Sequence, residues 1–296
     1  MQPDAYWIDK ARVRASFERA AHTYDAAAIL QKTVREEMLS RLDLVKMSPQ
    51  AILDAGCGTG QGTFALQKRF SHAHMISLDL ALGMLQRTQA QTPPLQRWLA
   101  KLTNKQNLVC ADIESLPLAN ASVDMVWSNL ALQWCNELDH AFTEIKRVLK
   151  PNGLVMFSTF GPDTLKELRM ASAPKDAAQD VTHISRFIDM HDIGDAMTRA
   201  GFSAPVLDVE YFTLTYDDVK SVMRDLKSIG AHNATAGRAR GLAGKGFLKQ
   251  IESRYEQFRQ DGKLPATFEV IYGHAWKPEQ TPELQAGYAP VHFKSR

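Results

Sequence analysis

Apolar positions along this chain follow one rhythm up to about residue 161 and another beyond it. Over residues 9–46 they fall at helical spacing. Phe17, Ala20, Ala21 and Tyr24 form one set, and Ile29, Leu30, Val34, Met38, Leu39 and Leu42 a second. Ser48-Pro49 breaks the pattern. Short apolar runs then alternate with amphipathic stretches. "AILDAG", "MISLDL", "NLVCADI" and "GLVMFSTF" read as buried strands, and "VDMVWSNLALQW" begins as one. Between them "GTFALQKRF", "GMLQRTQAQ" (closed by Pro93-Pro94) and "LDHAFTEIKRVLK" (stopped by Pro151 and Gly153) read as helices. Strands alternating with helices predict an α/β fold whose mainly parallel sheet carries helices on both faces.

Beyond residue 161 "DTLKELRMA" and "HDIGDAMTRAGF" are helical, while "PVLDVEYFTLTY" and "TFEVIYGHAW" read as strands. Between those strands Val219–Lys263 reads as largely helical and is long for a bare crossover, which predicts an inserted cap. The expected organisation is an N-terminal helical lid over 1–46, a core over 47–218, a basic helical insertion over 219–263, and a final strand and tail over 264–296. Of the 296 residues 45% are apolar and 23% charged, as in an ordinary soluble globular protein. Three cysteines without paired spacing suggest a reducing compartment. The N-terminus has no secretory apolar core, and no run reaches the roughly 18 apolar residues of a membrane span, so a cytoplasmic protein is expected. A net charge of +2 does not point to nucleic acid.

The chemistry concentrates in "ILDAGCGTGQGTF", Ile52 to Phe64. Gly56 and Gly58 fit a dinucleotide fingerprint, but Gln61 stands where its third glycine belongs. No Lys-Ser or Lys-Thr follows, so a phosphate loop also fails. The pattern is Asp54-x-Gly56-x-Gly58-x-Gly60. A carboxylate at the mouth of such a loop repels a pyrophosphate and suits a cation. S-adenosylmethionine carries an ammonium and a sulfonium and no phosphate, and glycines let the backbone lie against its methionyl part. Asp79, 25 residues after Asp54, ends the second strand and is placed to accept ribose hydroxyls. Asp112 ends the third and is placed to accept the adenine amine. Three acids ending successive strands face one crevice. Cys57 is a small buried filler rather than a nucleophile.

This arrangement resembles the class I S-adenosylmethionine-dependent methyltransferases over Ala51 to Phe160. Leu80 and Ile113, beside the two outer acids, are assigned to the same cofactor site. "FERAAHTYD", "DIESLPLANASVDMVWSNLALQWC", "LKSIGAHN" with "GRARGL", and "LPATFEVIYGHAW" are similar to one family, the malonyl-[acyl-carrier protein] O-methyltransferases of biotin synthesis. The resemblance implies methylation of the free carboxylate of malonyl held on acyl-carrier protein. "FGPDTLKELR" also resembles a complex I assembly factor of the same fold that modifies arginine, and a binding module without turnover is a third possibility.

A carboxylate is ionised at neutral pH, so the reaction needs no general base, and no Ser-His-Asp set or metal cluster is evident in the sequence. Asn129, Gln133 and Trp134 follow the fourth strand, where a class I methyltransferase meets its acceptor. Gln133 is placed to orient a substrate oxygen and Trp134 to wall the transfer, although a helix cap and a core tryptophan explain them as well. Tyr24 and Phe17, seven apart on one helical face, are placed to close over the cofactor, with ordinary helix packing as the other account. Arg169, Arg238 and Arg240 are candidates by charge to hold the malonyl carboxylate. Val219–Lys263 holds ten Lys or Arg against four acids. Its basic face, including Arg238, Arg240 and Lys245, suits docking of an acidic carrier protein.

Overall fold

Neighbouring residues of each central strand point to opposite layers, because side chains alternate across a pleated strand. In β1 (Ala51–Ala55) Ile52 joins one apolar cluster and Leu53 the other. In β4 (Val123–Asn129) Trp127 and Val126 divide in the same way. The structure, a computed structural model, describes residues 6–92, 106–173, 187–231, 233–235 and 245–279. The remaining strands are β2 (His74–Asp79), β3 (Gln106–Cys110), β5 (Leu149–Phe160), β6 (Ser203–Tyr216) and β7 (Leu264–Trp276). They form one seven-stranded sheet in the order β3-β2-β1-β4-β5-β7-β6. The pairs among β1 to β5 are parallel, whereas β7 runs antiparallel to both β5 and β6. Chain order reverses between β1 and β4, and the crevice beyond their carboxyl ends is where such sheets bind ligands.

Helices cover both faces. On one, α6 (Leu138–Val148) buries Leu138, Ala141, Phe142, Ile145 and Val148, a stripe at helical spacing, with α8 (Met190–Arg199) beside it. On the other lie α4 (Gln61–Arg69), α7 (Lys166–Ser172), α9 (Val219–Ser228) and α10 (Lys245–Tyr255). The helix α5 (Leu82–Gln91) follows β2. Val219, Val222, Ile251 and Tyr255 of the 219–263 segment belong to the main core cluster, so its described helices pack on the sheet.

The pattern over residues 9–46 predicts one helical stretch, and the structure breaks it into three. They are α1 (Lys10–Ala20), α2 (Tyr24–Ala27) and α3 (Ile29–Arg41), followed by a 3₁₀ turn at Leu42–Leu44. The reason lies in what each apolar set covers. Val13 and Phe17 pack against Leu80, Trp134 and Ala234 above the crevice, while Leu30, Val34 and Met38 pack into the main core. One straight rod cannot do both. The Thr23 hydroxyl holds the bend by donating to Ala20 O and Ser228 O.

Two buried acids fasten the β5–α7 loop to β7. The Glu269 carboxylate accepts Asp163 N–H at 2.6 Å, and the Glu167 carboxylate accepts the backbone N–H and hydroxyl of Thr267. Leu165, at φ 55°, carries the chain through the turn and donates its N–H to Thr267 O. Replacing Glu167 with Ala leaves the Thr267 donors buried and unpaired, so Glu167→Ala is expected to lower stability by about 2 kcal/mol. Glu167→Gln, which keeps an acceptor, should lose less. Urea unfolding midpoints of the two variants check the order.

Candidate functional site

The backbone N–H groups of the glycine loop find their acceptors at the end of β2. Gly56 and Cys57 both donate to Leu78 O, at 2.8 and 2.9 Å, and Gly58 donates to Asp79 Oδ2 at 2.9 Å. The turn that allows this has φ of 79° at Gly56 and 56° at Gly58, a region costly for residues with a side chain. A Cβ on Gly56 would lie 2.3 Å from that of Ala131, so no larger residue fits where the loop meets the end of β4. Gly60, at φ 86°, opens α4 against Thr88 and shapes the loop rather than lining the crevice.

Above the loop a cavity with about 610 Å³ of space, part of it open to solvent, gathers most of the expected residues. Asp79, Leu80, Asp112 and Ile113 line one side. Gly56, Gly58 and Asn129 form its floor, and Phe17, Tyr24 and Trp134 border it. Phe17 stands edge-on to Trp134, with ring centroids 5.4 Å apart, and lies 6.4 Å from Tyr24. The N-terminal segment is strapped over this group. Ile8 N–H donates to Asn136 Oδ1 at 2.7 Å, Asn136 Nδ2 donates back to Ile8 O, and Asp9 N–H donates to Ala234 O.

Asp79 sits where the sequence places it, at the end of β2. Asp112 does not end β3, which stops at Cys110, because the chain turns away there and Asp112 stands in the following loop. Lys10, which nothing in the sequence marks, reaches from α1 to Asp112 Oδ1 at 3.0 Å and to Glu114. Glu114 N–H also donates to Asp112 Oδ1. Asn129 is engaged on both ends of its amide, donating to Gln31 O and accepting from the Ser158 hydroxyl.

Asp54 lies beneath the loop rather than in this cavity. It is 2% exposed and accepts the Thr63 hydroxyl at 2.6 Å. It lines an adjoining pocket with Arg35, Gln31, Trp127 and the far side of the glycine loop. The indole Nε1 of Trp127 is buried there without a hydrogen-bond partner. Burial pushes the Asp54 carboxyl up to about 7, against the Thr63 hydrogen bond. Burial also raises Asp79 to about 6, against the N–H groups of Ala81 and Gly58. Both charges are poorly compensated, and a cation nearby would favour them. Sequence reasoning missed Arg35 and Trp127. A single basic residue on an amphipathic helix and a tryptophan in an apolar strand carry no signal of their own.

Gln133 and Trp134 face different spaces. The 3₁₀ turn Leu132–Trp134 stands between the first cavity and a larger opening on the other side. Trp134 borders the first. Gln133 borders the second, with Thr159, Arg169, Tyr6 and Trp7, and Cys135 touches both. The Gln133 amide donates to Leu130 O at 2.6 Å and accepts weakly from the Thr159 hydroxyl at 3.4 Å, so it braces the strained turn at Leu130. Arg238 and Arg240 lie outside the described residues, and Lys245 opens α10. Other basic groups of that segment are engaged locally: Lys220 with Glu252, Arg259 with Glu256 and Lys263 with Asp217.

A family model described as a methyltransferase domain matches residues 53–157. The chain is 65% identical to the malonyl-[acyl-carrier protein] O-methyltransferase of Methylovorus sp. (strain MP688), over 100% of this chain and 98% of that one. It is 56% identical to the protein of the same name from Laribacter hongkongensis, over 98% of this chain and 97% of that one. Among solved structures, the YcgJ protein of Bacillus subtilis matches with a TM-score of 0.54 at 16% identity, covering 88% of this chain and 99% of that one, a likeness of fold. The expected class I methyltransferase sheet is the one observed. Among the described residues no helix is long and apolar enough to cross a membrane.

The raised carboxyls give a stability effect of defined sign. Asp54 titrates near 7 in the folded chain and near about 4 when unfolded, so between those values the folded state binds more protons. Its contribution to stability therefore falls as pH rises through that window. Asp54→Asn removes the titration and keeps an acceptor for Thr63. Its stability advantage over the unaltered chain should grow from about pH 5 to about pH 7 and then level off, as urea midpoints would show.

Proposed function

The chain belongs to the family of malonyl-[acyl-carrier protein] O-methyltransferases, and we propose that it methylates the free carboxylate of a malonyl group carried on acyl-carrier protein, with S-adenosylmethionine as the methyl donor. The product is a methyl ester whose masked acid lets chain elongation proceed towards pimelate and biotin. The end-to-end likeness to malonyl methyltransferases carries this reading.

The residues of the first cavity fit a phosphate-free, cationic nucleoside. Its acids among the described residues are Asp79 and Asp112, and Lys10 beside them is already engaged by Asp112 and Glu114. Asp79 would take the ribose hydroxyls. Asp112 would take the adenine amine through Oδ2, since Lys10 and Glu114 N–H both fall on Oδ1. Gly56 and Gly58 would let the methionyl chain pass close to the backbone. Asp54 would balance its ammonium across the loop, and Arg35 with the unpaired Trp127 N–H suits its carboxylate. When bound, S-adenosylmethionine supplies a methyl on a positive sulfur; the acceptor oxygen takes the methyl and the sulfur keeps the electron pair.

The protein's own part is placement and exclusion of water. An ionised carboxylate has no proton to give up, which removes any demand for a base. Phe17, Tyr24 and Trp134 close the cofactor side with aromatic surface. Burial raises the Tyr24 phenol well above its ordinary range, with Asp79 and Asp25 adding to the effect, so it stays a neutral donor. Aligning oxygen and methyl across the Leu132–Trp134 turn is then the main source of rate. The carrier protein's acidity suits the excess of basic residues over 219–263.

A labelled-methyl assay tests the proposal by comparing malonyl-carrier protein, malonyl-coenzyme A and an arginine-containing peptide. Transfer to the carrier-bound malonyl should dominate; label on the peptide alone, or on nothing, would refute it. Removing one carboxylate that holds both ribose hydroxyls should be severe. Asp79→Ala is expected to weaken S-adenosylmethionine binding about 100-fold in calorimetry, and Asp79→Asn, which keeps an acceptor for the Gly58 N–H and so the loop, should still lose much of that affinity.

A further inference from the structure

Arg169 has the marks of a receptor waiting for an anion. It sits on α7, and its guanidinium lines the second opening beside Gln133 and Thr159, across the Leu132–Trp134 turn from the cofactor cavity. Nη1 donates to Pro162 O at 2.7 Å and Nη2 to Thr164 O at 3.0 Å. Those bonds hold the planar head group in place, and among the described residues the other three of its five N–H donors make no hydrogen bond. The loop it grips is itself fastened to β7 through Glu269 and Glu167.

Yet among the described residues no carboxylate forms an ion pair with Arg169. Asp163, its acidic neighbour, reaches towards Lys166. Asp189 and Asp192 also border the opening, but both are exposed at the start of α8, and Asp189 is taken by the N–H and ring of His191. Burial lowers the Arg169 pKa, an effect that Tyr6 and Asp163 only partly offset. A partly desolvated charge of this kind gains most from an incoming carboxylate, and a guanidinium fork matches that group bidentately. Gln133, the neutral alternative, already has its amide engaged with Leu130 and Thr159.

We propose that Arg169 is the residue that binds the carboxylate of the acyl substrate, holding it at the turn that divides the two cavities and so selecting acids over neutral acyl groups. The assignment rests on the methyl-transfer function above; Arg238 and Arg240 lie outside the described residues. Because its head group is fixed by backbone carbonyls and still partly open to water, Arg169 orients the carboxylate without fully quenching its charge.

The experiment compares the full-length enzyme with its Arg169→Gln and Arg169→Lys variants. A cooperative unfolding transition, with a modestly lowered midpoint from the lost bonds to Pro162 O and Thr164 O, and an S-adenosylmethionine affinity within about twofold establish that each variant folds and loads cofactor. The decisive readout is the ratio of affinities for malonyl-loaded and acetyl-loaded carrier protein. The unaltered enzyme should favour the malonyl form about 30-fold, Arg169→Gln should erase that preference and raise the KM for malonyl carrier similarly, and added guanidinium ion should restore part of it. Arg169→Lys, which keeps the charge but not the fork, should fall between, and it decides the matter if Arg169→Gln does not fold. A merely structural role would weaken both carriers alike. A variant that keeps the malonyl preference overturns the assignment while leaving the function standing. An unaltered enzyme inert on malonyl carrier overturns the function first and this assignment with it.

Discussion

Three successive peptide N–H groups at residues 56–58 must find acceptors just past the end of β1, where no ladder continues. The carbonyl of Leu78 and the carboxylate of Asp79 meet that need. The rest of the site depends on this solution. It requires left-handed turns at Gly56 and Gly58, draws the loop across to β2, and holds Asp79 at the cavity wall. It also brings Gly56 against Ala131, so the chain after β4 is set by the same contact. A buried carboxylate below the loop and another beside it are then left short of positive charge, which is the physical basis for reading the cavity as a cation's site.

The walls of the two cavities are built from segments far apart in the chain. Residues before α1 bond to Asn136 and to Ala234, and Thr23 bonds to Ser228. The aromatic wall of Phe17, Tyr24 and Trp134 exists because those ties bring α1 over the end of β4. The short turn at Leu132–Trp134 then acts as a partition, with adjacent side chains serving different spaces.

The antiparallel strand β7 has a role beyond closing the sheet. Its Thr267 and Glu269, with Glu167 of α7, hold the β5–α7 loop through buried hydrogen bonds. That rigidity is what makes the orientation of Arg169 meaningful. A guanidinium on a loosely held loop would fold back onto Asp163 or into solvent.

The alternating rhythm of residues 51–160 determined the parallel core, because a strand buried on both faces must be apolar throughout and its helices must be amphipathic. The spacing of Asp54, the glycines and Asp79 likewise placed a left-handed glycine turn and two carboxylates at the carboxyl ends of β1 and β2, since these follow from local backbone geometry. What sequence could not decide was how distant segments meet. The helical period over residues 9–46 is the same whether the stretch is one rod or three, and only the two surfaces it covers break it. Asp112 reads as a strand end, but β3 stops at Cys110, and Lys10 reaches Asp112 in the loop from α1. Arg35 and Trp127 look like ordinary helix and strand residues, and charge alone marks Arg169 as one of three arginines; it is tertiary packing that leaves their polar groups beside a cavity, at contacts that no local spacing encodes.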